Sequence, residues 1–277
     1  MNGVRRRVRA AHPRTSVGIF PVQSKPAVWS TLRVARRHWL CREVYLALTD
    51  DHAVLLNLQT NKYVAMGSIQ MRAFSIAVEG WPGASLHSRL GLDQTEEILD
   101  AAVKARILTM DADAGHSASL VHIATPNTAL LDTTLLHTLL PGRKPSYRVT
   151  ARHVQRFLFA HSGARRMLHS WPLTRIAERI RCRKENARIN PTIDSGTALE
   201  LNYLYRTIRP FVFSSRAECL LDSLSLVEFL ASFELYPAWV FGVRTWPFRA
   251  HCWVQSSEAI FNDVPDHAKS YATILSI

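Results

Sequence analysis

Apolar and polar residues begin to alternate at Glu43. V-Y-L-A-L (44–48), A-V-L-L-N-L (53–58) and Y-V-A-M (63–66) are separated by the turn-forming D-D-H and Q-T-N-K. This pattern predicts a three-stranded antiparallel meander. Helical spacing follows over Ser68–Glu79, Ser85–Leu90 and Gln94–Arg106. The last of these opens on Asp93 with Glu96 three residues on, and Ile98, Leu99, Ala102 and Val103 share its apolar face. Ile107–Met110 predicts a closing strand, which gives residues 39–110 a winged-helix-like outline. Residues 111–145 open with D-A-D-A-G-H-S-A-S and close with P-G-R-K-P. They predict a linker holding one Leu-rich helix, Leu130–Leu140. Three helices follow over Thr150–Leu168, Leu173–Asn186 and Gly196–Ile208, with breaks at Trp171-Pro172 and Asn190-Pro191. Residues 1–38 contain Pro13, Pro21 and Pro26 without any period, and predict a disordered basic arm or an upstream-extended start.

Candidate chemistry is concentrated near the C-terminus. In S-R-A-E-C-L-L-D-S-L-S-L-V-E-F-L, Ser215 and Glu218 make a capping box, which places Cys219 in the first turn of a helix. The helix dipole and unpaired N–H groups there favour an anion and so a thiolate. Arg249–Gln255 and Glu258–Asp263 predict two strands. If the hairpin turns over Ser256-Ser257-Glu258, Gln255 faces Ala259 and His251 falls opposite Asp263, about 5 Å away at Cβ. With Cys219 on a helix packed against that face, the set comprises a nucleophile, a base and an orienting carboxylate. Strand alternation turns Cys252 to the face opposite His251, so Cys252 is expected to stand apart from the reaction.

The chain has 277 residues, 47% of them hydrophobic, enough for two modest domains each with a core. No apolar run is long enough for a membrane span, and the Arg-rich start lacks the apolar core of a secretory signal. Its four cysteines, at 41, 182, 219 and 252, have neither zinc-type spacing nor the density of a disulfide framework. A reducing cytosol and no bound metal are the expectation. The net charge of +12 is uneven: no acid precedes Glu43, and a second basic block spans 143–188. Such blocks suit a polyanion or an acidic partner.

Cys219, the run His251-Cys252-Trp253-Val254-Gln255 and Asp263 resemble the transglutaminase-like cysteine protease domain of lasso peptide biosynthesis B proteins. Here Cys252 replaces a small residue, Gln255 replaces an acid, and the turn lacks the glycine often found there. Residues 50–66, D-D-H-A-V-L-L-N-L-Q-T-N-K-Y-V-A-M, resemble the PqqD-like RiPP recognition element, with Asn57 where an Asp is common. Together the resemblances imply an α+β chain, with a winged-helix-like PqqD-type domain followed by a transglutaminase-like, papain-type protease domain over 146–277. They imply a cytoplasmic leader peptidase of lasso peptide maturation that uses Cys219, His251 and Asp263 and no cofactor. The precursor's leader would add to the edge Lys62, Tyr63, Val64 and Ala65, beside the helix carrying Leu99 and Val103. An asparagine-synthetase-like, ATP-dependent cyclase would act next. Two alternatives remain at this stage. One is a transglutaminase or acyl transferase using the same triad. The other is a winged-helix nucleic-acid binder, which the acidic start of the third helix (Asp93, Glu96, Glu97, Asp100) disfavours.

Overall fold

The computed structural model describes residues 37–49, 52–82, 91–129, 148–187, 195–213 and 218–277. Residues 1–36 of the basic arm, the helices expected over 85–90 and 130–140, and Ser215 lie outside these residues.

The meander forms as expected. Strands β2 (Val44–Leu48), β3 (Ala53–Asn57) and β4 (Lys62–Met66) pair antiparallel in the order β2-β3-β4, with Leu46 opposite Leu55 and Leu56 opposite Tyr63. Both of its faces are covered, which explains why β3 is nearly all apolar. Leu46, Ala53, Leu55 and Met66 pack on helices α1 (Ser68–Ala77) and α2 (Leu92–Lys104). Ala47, Val54, Leu56 and Tyr63 instead join the large core of the C-terminal half. Tyr63 meets Phe248 edge-on with ring centroids 5.9 Å apart, and Arg181 donates to the Tyr45 hydroxyl at 2.8 Å. The N-terminal half therefore shares a core with the rest of the chain.

Some element boundaries differ from the sequence pattern. Helix α2 is preceded by Gly91 as its N-cap rather than Asp93, which lies in the first turn. A short strand β1 (Trp39–Cys41) pairs with β5 (Leu108–Thr109) and β6 (Gly115–His116). The expected linker is thus partly strand, because β6 and β7 (Thr128–Ala129) both fall within it.

In the C-terminal half, helix α3 (Ala151–Ser170) starts from a capping box in which Thr150 accepts from the His153 N–H and the His153 ring returns to the Thr150 N–H. Its buried residues Phe157, Ala160, Ala164 and Met167 recur at helical spacing. With α4 (Leu173–Ala187) and α5 (Ser195–Ile208) it packs around the central helix α6 (Cys219–Ala231). Behind α6 lies a five-stranded sheet in the order β11-β8-β9-β10-β7. Its strands β8 (Ala238–Thr245), β9 (Phe248–Gln255), β10 (Ala259–Ile260) and β11 (Ala272–Ser276) are antiparallel neighbours, and β7 joins β10 in parallel. A short helix α7 (Pro265–Lys269) connects β10 to β11. Among the described residues, no helix is long and apolar enough to cross a membrane.

Helix α6 is buried almost all round, so its polar residues need partners. Asp222 accepts from the Tyr205 hydroxyl at 3.1 Å and from Arg209 at 3.2 Å. Ser223 accepts the Trp239 indole N–H at 2.9 Å. Gly242, opposite His251 on β8, permits a close approach. A Cβ there would stand 2.7 Å from the Tyr271 Cβ and 2.9 Å from the Trp253 ring. Gly242→Ala is expected to destabilise the fold by about 1–3 kcal/mol, the usual cost of overpacking, seen as a lower urea midpoint at unchanged slope.

Candidate active site

Three segments meet at the border of the five-stranded sheet. Cys219 is the first residue of α6 and follows Glu218, an N-cap without a side-chain cap bond. The helix thus starts three residues later than a box capped by Ser215 would place it. Cys219 nevertheless sits in the first turn, where unpaired N–H groups and the helix dipole favour a thiolate. His251 stands on β9, stacked on Trp253 with ring centroids 5.9 Å apart and packed against Tyr271 at 5.3 Å. Its Nε2–H donates to Asp263 Oδ2 at 2.9 Å, which leaves Nδ1 as the nitrogen available to serve the thiol.

The structure brings Cys219, His251 and Asp263 together by a different route from the hairpin expected. Ser256 N–H donates to the Ala259 carbonyl at 2.9 Å, and Ser256 Oγ accepts from the Ala259 N–H at 3.1 Å. The turn is therefore two residues long, over Ser257-Glu258, rather than three. This shifts the register by one, so Gln255 pairs with Ile260. β10 ends there, and Asp263 comes from the loop beyond it. Polar pins hold that loop in place. Asn202 donates to the Phe261 carbonyl at 2.8 Å. Asn262 accepts from the Val254 N–H at 2.8 Å and donates to Asp222 at 3.2 Å. Asn262 thus ties the loop that carries Asp263 to the helix that begins at Cys219.

A second correction concerns the sheet faces. Alternation does turn Cys252 away from His251, but α6 covers the Cys252 face, where Ser223 Oγ lies 3.3 Å from Cys252 Sγ. Cys252 is therefore next to Cys219, which approaches His251 past the end of the β9–β10 ladder. The backbone register supports this placement. Trp239 exchanges both backbone bonds with Ile277 on its other side. Across the ladder, Val254 and then Cys252 must turn their N–H groups away from β8, toward that border.

Electrostatics at the site favour an ion pair. The Cys219 thiol is held far below its ordinary 9.0 by hydrogen bonding from the Cys252 side chain, opposed by burial and then reinforced by His251. Burial alone would lower the His251 pKa. Hydrogen bonds and charge from Asp263 and Cys219 overcome it and raise the pKa to about 9. Burial would raise the Asp263 pKa, but hydrogen bonds from His251 and His267 hold it below its ordinary value. The directions of these shifts favour a thiolate–imidazolium pair between the two limits. Turnover plotted against pH should be bell-shaped. The acid limb marks protonation of Cys219 below the ordinary thiol range, and the basic limb at about 9 marks loss of the His251 proton that the leaving amine needs. A basic limb near 6.5 would show that His251 is not paired as described.

His267, one helical turn beyond Asp263, was not legible as a site residue. Its Nδ1 lies 2.9 Å from Asp263 Oδ2, so two histidines share one carboxylate. The i, i+4 spacing of Asp263 and His267 is the signal that could have found it. Among the described residues, His251, Asp263 and His267 form a cluster whose ligand atoms lie within 4.8 Å of one another, and these side chains could hold a metal ion. Gln255, which stands where the resembled family has an acid, is fully buried and structural. It accepts the Trp253 indole N–H at 2.7 Å and donates to the Ala124 carbonyl at 2.9 Å.

The residues expected to hold a leader do not all share one surface. Lys62 is exposed, and Val64 and Ala65 are partly buried on β4, the outer strand of its sheet. Val64 lines a narrow cavity with Gln70, Phe74 and Ile98, so Ile98 rather than Leu99 walls that side. Leu99 is buried in the core, and Val103 lines a separate cleft with Cys41 and Leu108. Tyr63 points the other way. Burial raises its pKa, and its ring packs on Phe248 in the core that also holds Cys252, behind the site. On α2, Asp93, Glu96 and Asp100 are exposed, an unsuitable face for phosphate.

Residues 163–276 match the family model of the transglutaminase-like superfamily. No curated protein and no solved structure matched the chain. The C-terminal part of this chain, which holds Cys219, His251 and Asp263, is a transglutaminase-like domain, and that family points to cysteine-protease or acyl-transferase chemistry.

Proposed function

We propose that this chain is a cytoplasmic leader peptidase of lasso peptide maturation. It binds the precursor's leader through the meander and cleaves it by Cys-His-Asp catalysis. The observation that carries the chemistry is the approach of Cys219 at a helix start to His251, which is itself bonded to Asp263 at 2.9 Å. In the proposed reaction the Cys219 thiolate attacks the scissile carbonyl and forms a thioester with the leader. His251 gives its proton to the departing amine, then takes one from the water that hydrolyses the thioester. N–H groups at the start of α6 are suited to the oxyanion. The freed amine is the nucleophile a separate ATP-dependent cyclase would need.

The leader's proposed place is the outer edge of β4, which pairs with no further strand among the described residues and where a strand could add by backbone bonding. Val64 contributes to a groove beside that edge, with Ile98 opposite. The superfamily match equally favours transfer of the acyl group to an amine, which uses the same three residues.

The test is incubation of the purified chain with a candidate precursor, with and without a primary amine, followed by mass spectrometry. Cleavage at one position, dependent on the leader and without amine incorporation, is the expected result. An amide product in its place would make the chain a transferase. The Leu58 N–H bond to Glu43 and the Thr49 N–H bond to His52 set a register in which the Val64 N–H faces Leu55 on β3 and the Ala65 N–H faces the outer edge, so Ala65→Pro removes an edge donor and fixes φ. With its circular dichroism unchanged, the variant is expected to weaken leader binding at least tenfold, measured by fluorescence anisotropy. Normal leader binding by this variant would move recognition away from β4.

A further inference from the structure

Cys252 takes no part in the proton transfers described above, yet it is buried beside the proposed nucleophile, at 3% exposure. Its surroundings are polar on the side of α6. Ser223 follows Cys219 by four residues, so the two share a helical face, and Ser223 Oγ lies 3.3 Å from Cys252 Sγ. The Trp239 indole, itself fully buried, donates to that same oxygen at 2.9 Å. Ser223 therefore has one proton to give, either to Cys252 Sγ or to the Leu220 carbonyl at 3.3 Å. When it goes to Cys252, the thiol's own proton is left for the remaining neighbouring acceptor, Cys219 Sγ.

We propose that Cys252 is a positioning residue for the nucleophile: its buried thiol donates S–H to the Cys219 thiolate, completing a chain from Trp239 through Ser223. The proposal rests on the assignment of Cys219 as the nucleophile. Cys219 is then held from two sides, by the His251 imidazolium and by Cys252, whose backbone N–H also turns toward it. The electrostatics agree with this arrangement. The Cys252 side chain is the largest influence lowering the Cys219 pKa, while burial and the adjacent Cys219 charge keep Cys252 protonated. Only one of two neighbouring thiols ionises, and the other becomes its donor. No proton changes hands in this role, so Cys252 sets the thiolate population without touching substrate.

The test is the pH dependence of Cys219 alkylation by iodoacetamide, followed on the Cys219 peptide by mass spectrometry. It needs no substrate and is therefore independent of the peptidase assignment. In Cys252→Ala the acid midpoint should rise by about one pH unit, leaving roughly tenfold less thiolate below it, the effect of losing one hydrogen bond to a charged group. Cys252→Ser keeps a donor and should restore most of the shift. Ser223→Ala should shift the midpoint in the same direction by less, and provides the reading if Cys252→Ala fails to fold. An unchanged midpoint in folded Cys252→Ala would overturn the proposal. So would an equal shift in the alanine and serine variants, which would mean that packing acts rather than hydrogen bonding. A Cys219 peptide that alkylates no faster than that of exposed Cys182 would instead overturn the assignment of the nucleophile.

Discussion

Cys219→Ala is expected to lower turnover of a cleavable peptide by about six orders of magnitude, the loss found when the nucleophile of a catalytic triad is deleted. The size of the effect follows from position. Cys219 alone among the described cysteines combines a helix start, an imidazolium partner and a lowered pKa. Cys41 is raised above its ordinary value by burial and then by Glu43, which makes it a poor nucleophile. Cys182 is exposed on α4, and its pKa is raised by its hydrogen bond with Glu178. Cys182→Ala should therefore leave turnover unchanged. Mass spectrometry of precursor cleavage gives the comparison. If Cys219→Ala retains turnover above the uncatalysed background, the chemistry lies elsewhere.

Local pattern made some of the site legible. The apolar run after Cys219 marks α6, and strand alternation separates His251 from Cys252. Both depend only on neighbours along the chain. The pairing of His251 with Asp263 depends on more. A hairpin one residue out of register would ordinarily reverse the facing of every side chain. The pair survives because Asp263 leaves the strand and is held in a loop by Asn202, Asp222 and Val254, contacts between residues up to 59 positions apart. The face taken by α6 was equally hidden. Both sides of β9 carry apolar residues, so alternation cannot say which one a helix covers. Strands β1, β5, β6, β7 and β10 are two or three residues long, too short for any period to show. Tyr63 illustrates the limit in the N-terminal half. Its strand looks like an edge strand, but one face is buried against the C-terminal core, so the side chain meets Phe248 rather than a ligand.

The orienting carboxylate provides the other large effect. Asp263→Ala is expected to reduce turnover by about 10⁴-fold, the loss seen when a triad's imidazole is left in the wrong tautomer. Three donors converge on this carboxylate: His251 Nε2, His267 Nδ1 and the Val264 N–H at 2.8 Å. Without it, His251 loses the partner that fixes Nε2–H and directs Nδ1 toward Cys219. The variant also makes a directional prediction about pH. Asp263 is the foremost influence that raises the His251 pKa against burial, to about 9. Its removal should move the basic limb of the residual activity to lower pH, while the opposite movement would contradict the pairing. Asp266 provides the control, since it is exposed on the first turn of α7 and Asp263 occupies the bonding position at His251. Asp266→Ala should retain near-normal turnover. If Asp266→Ala proves the damaging change and Asp263→Ala the mild one, the loop after β10 must present a different carboxylate to His251 during the reaction.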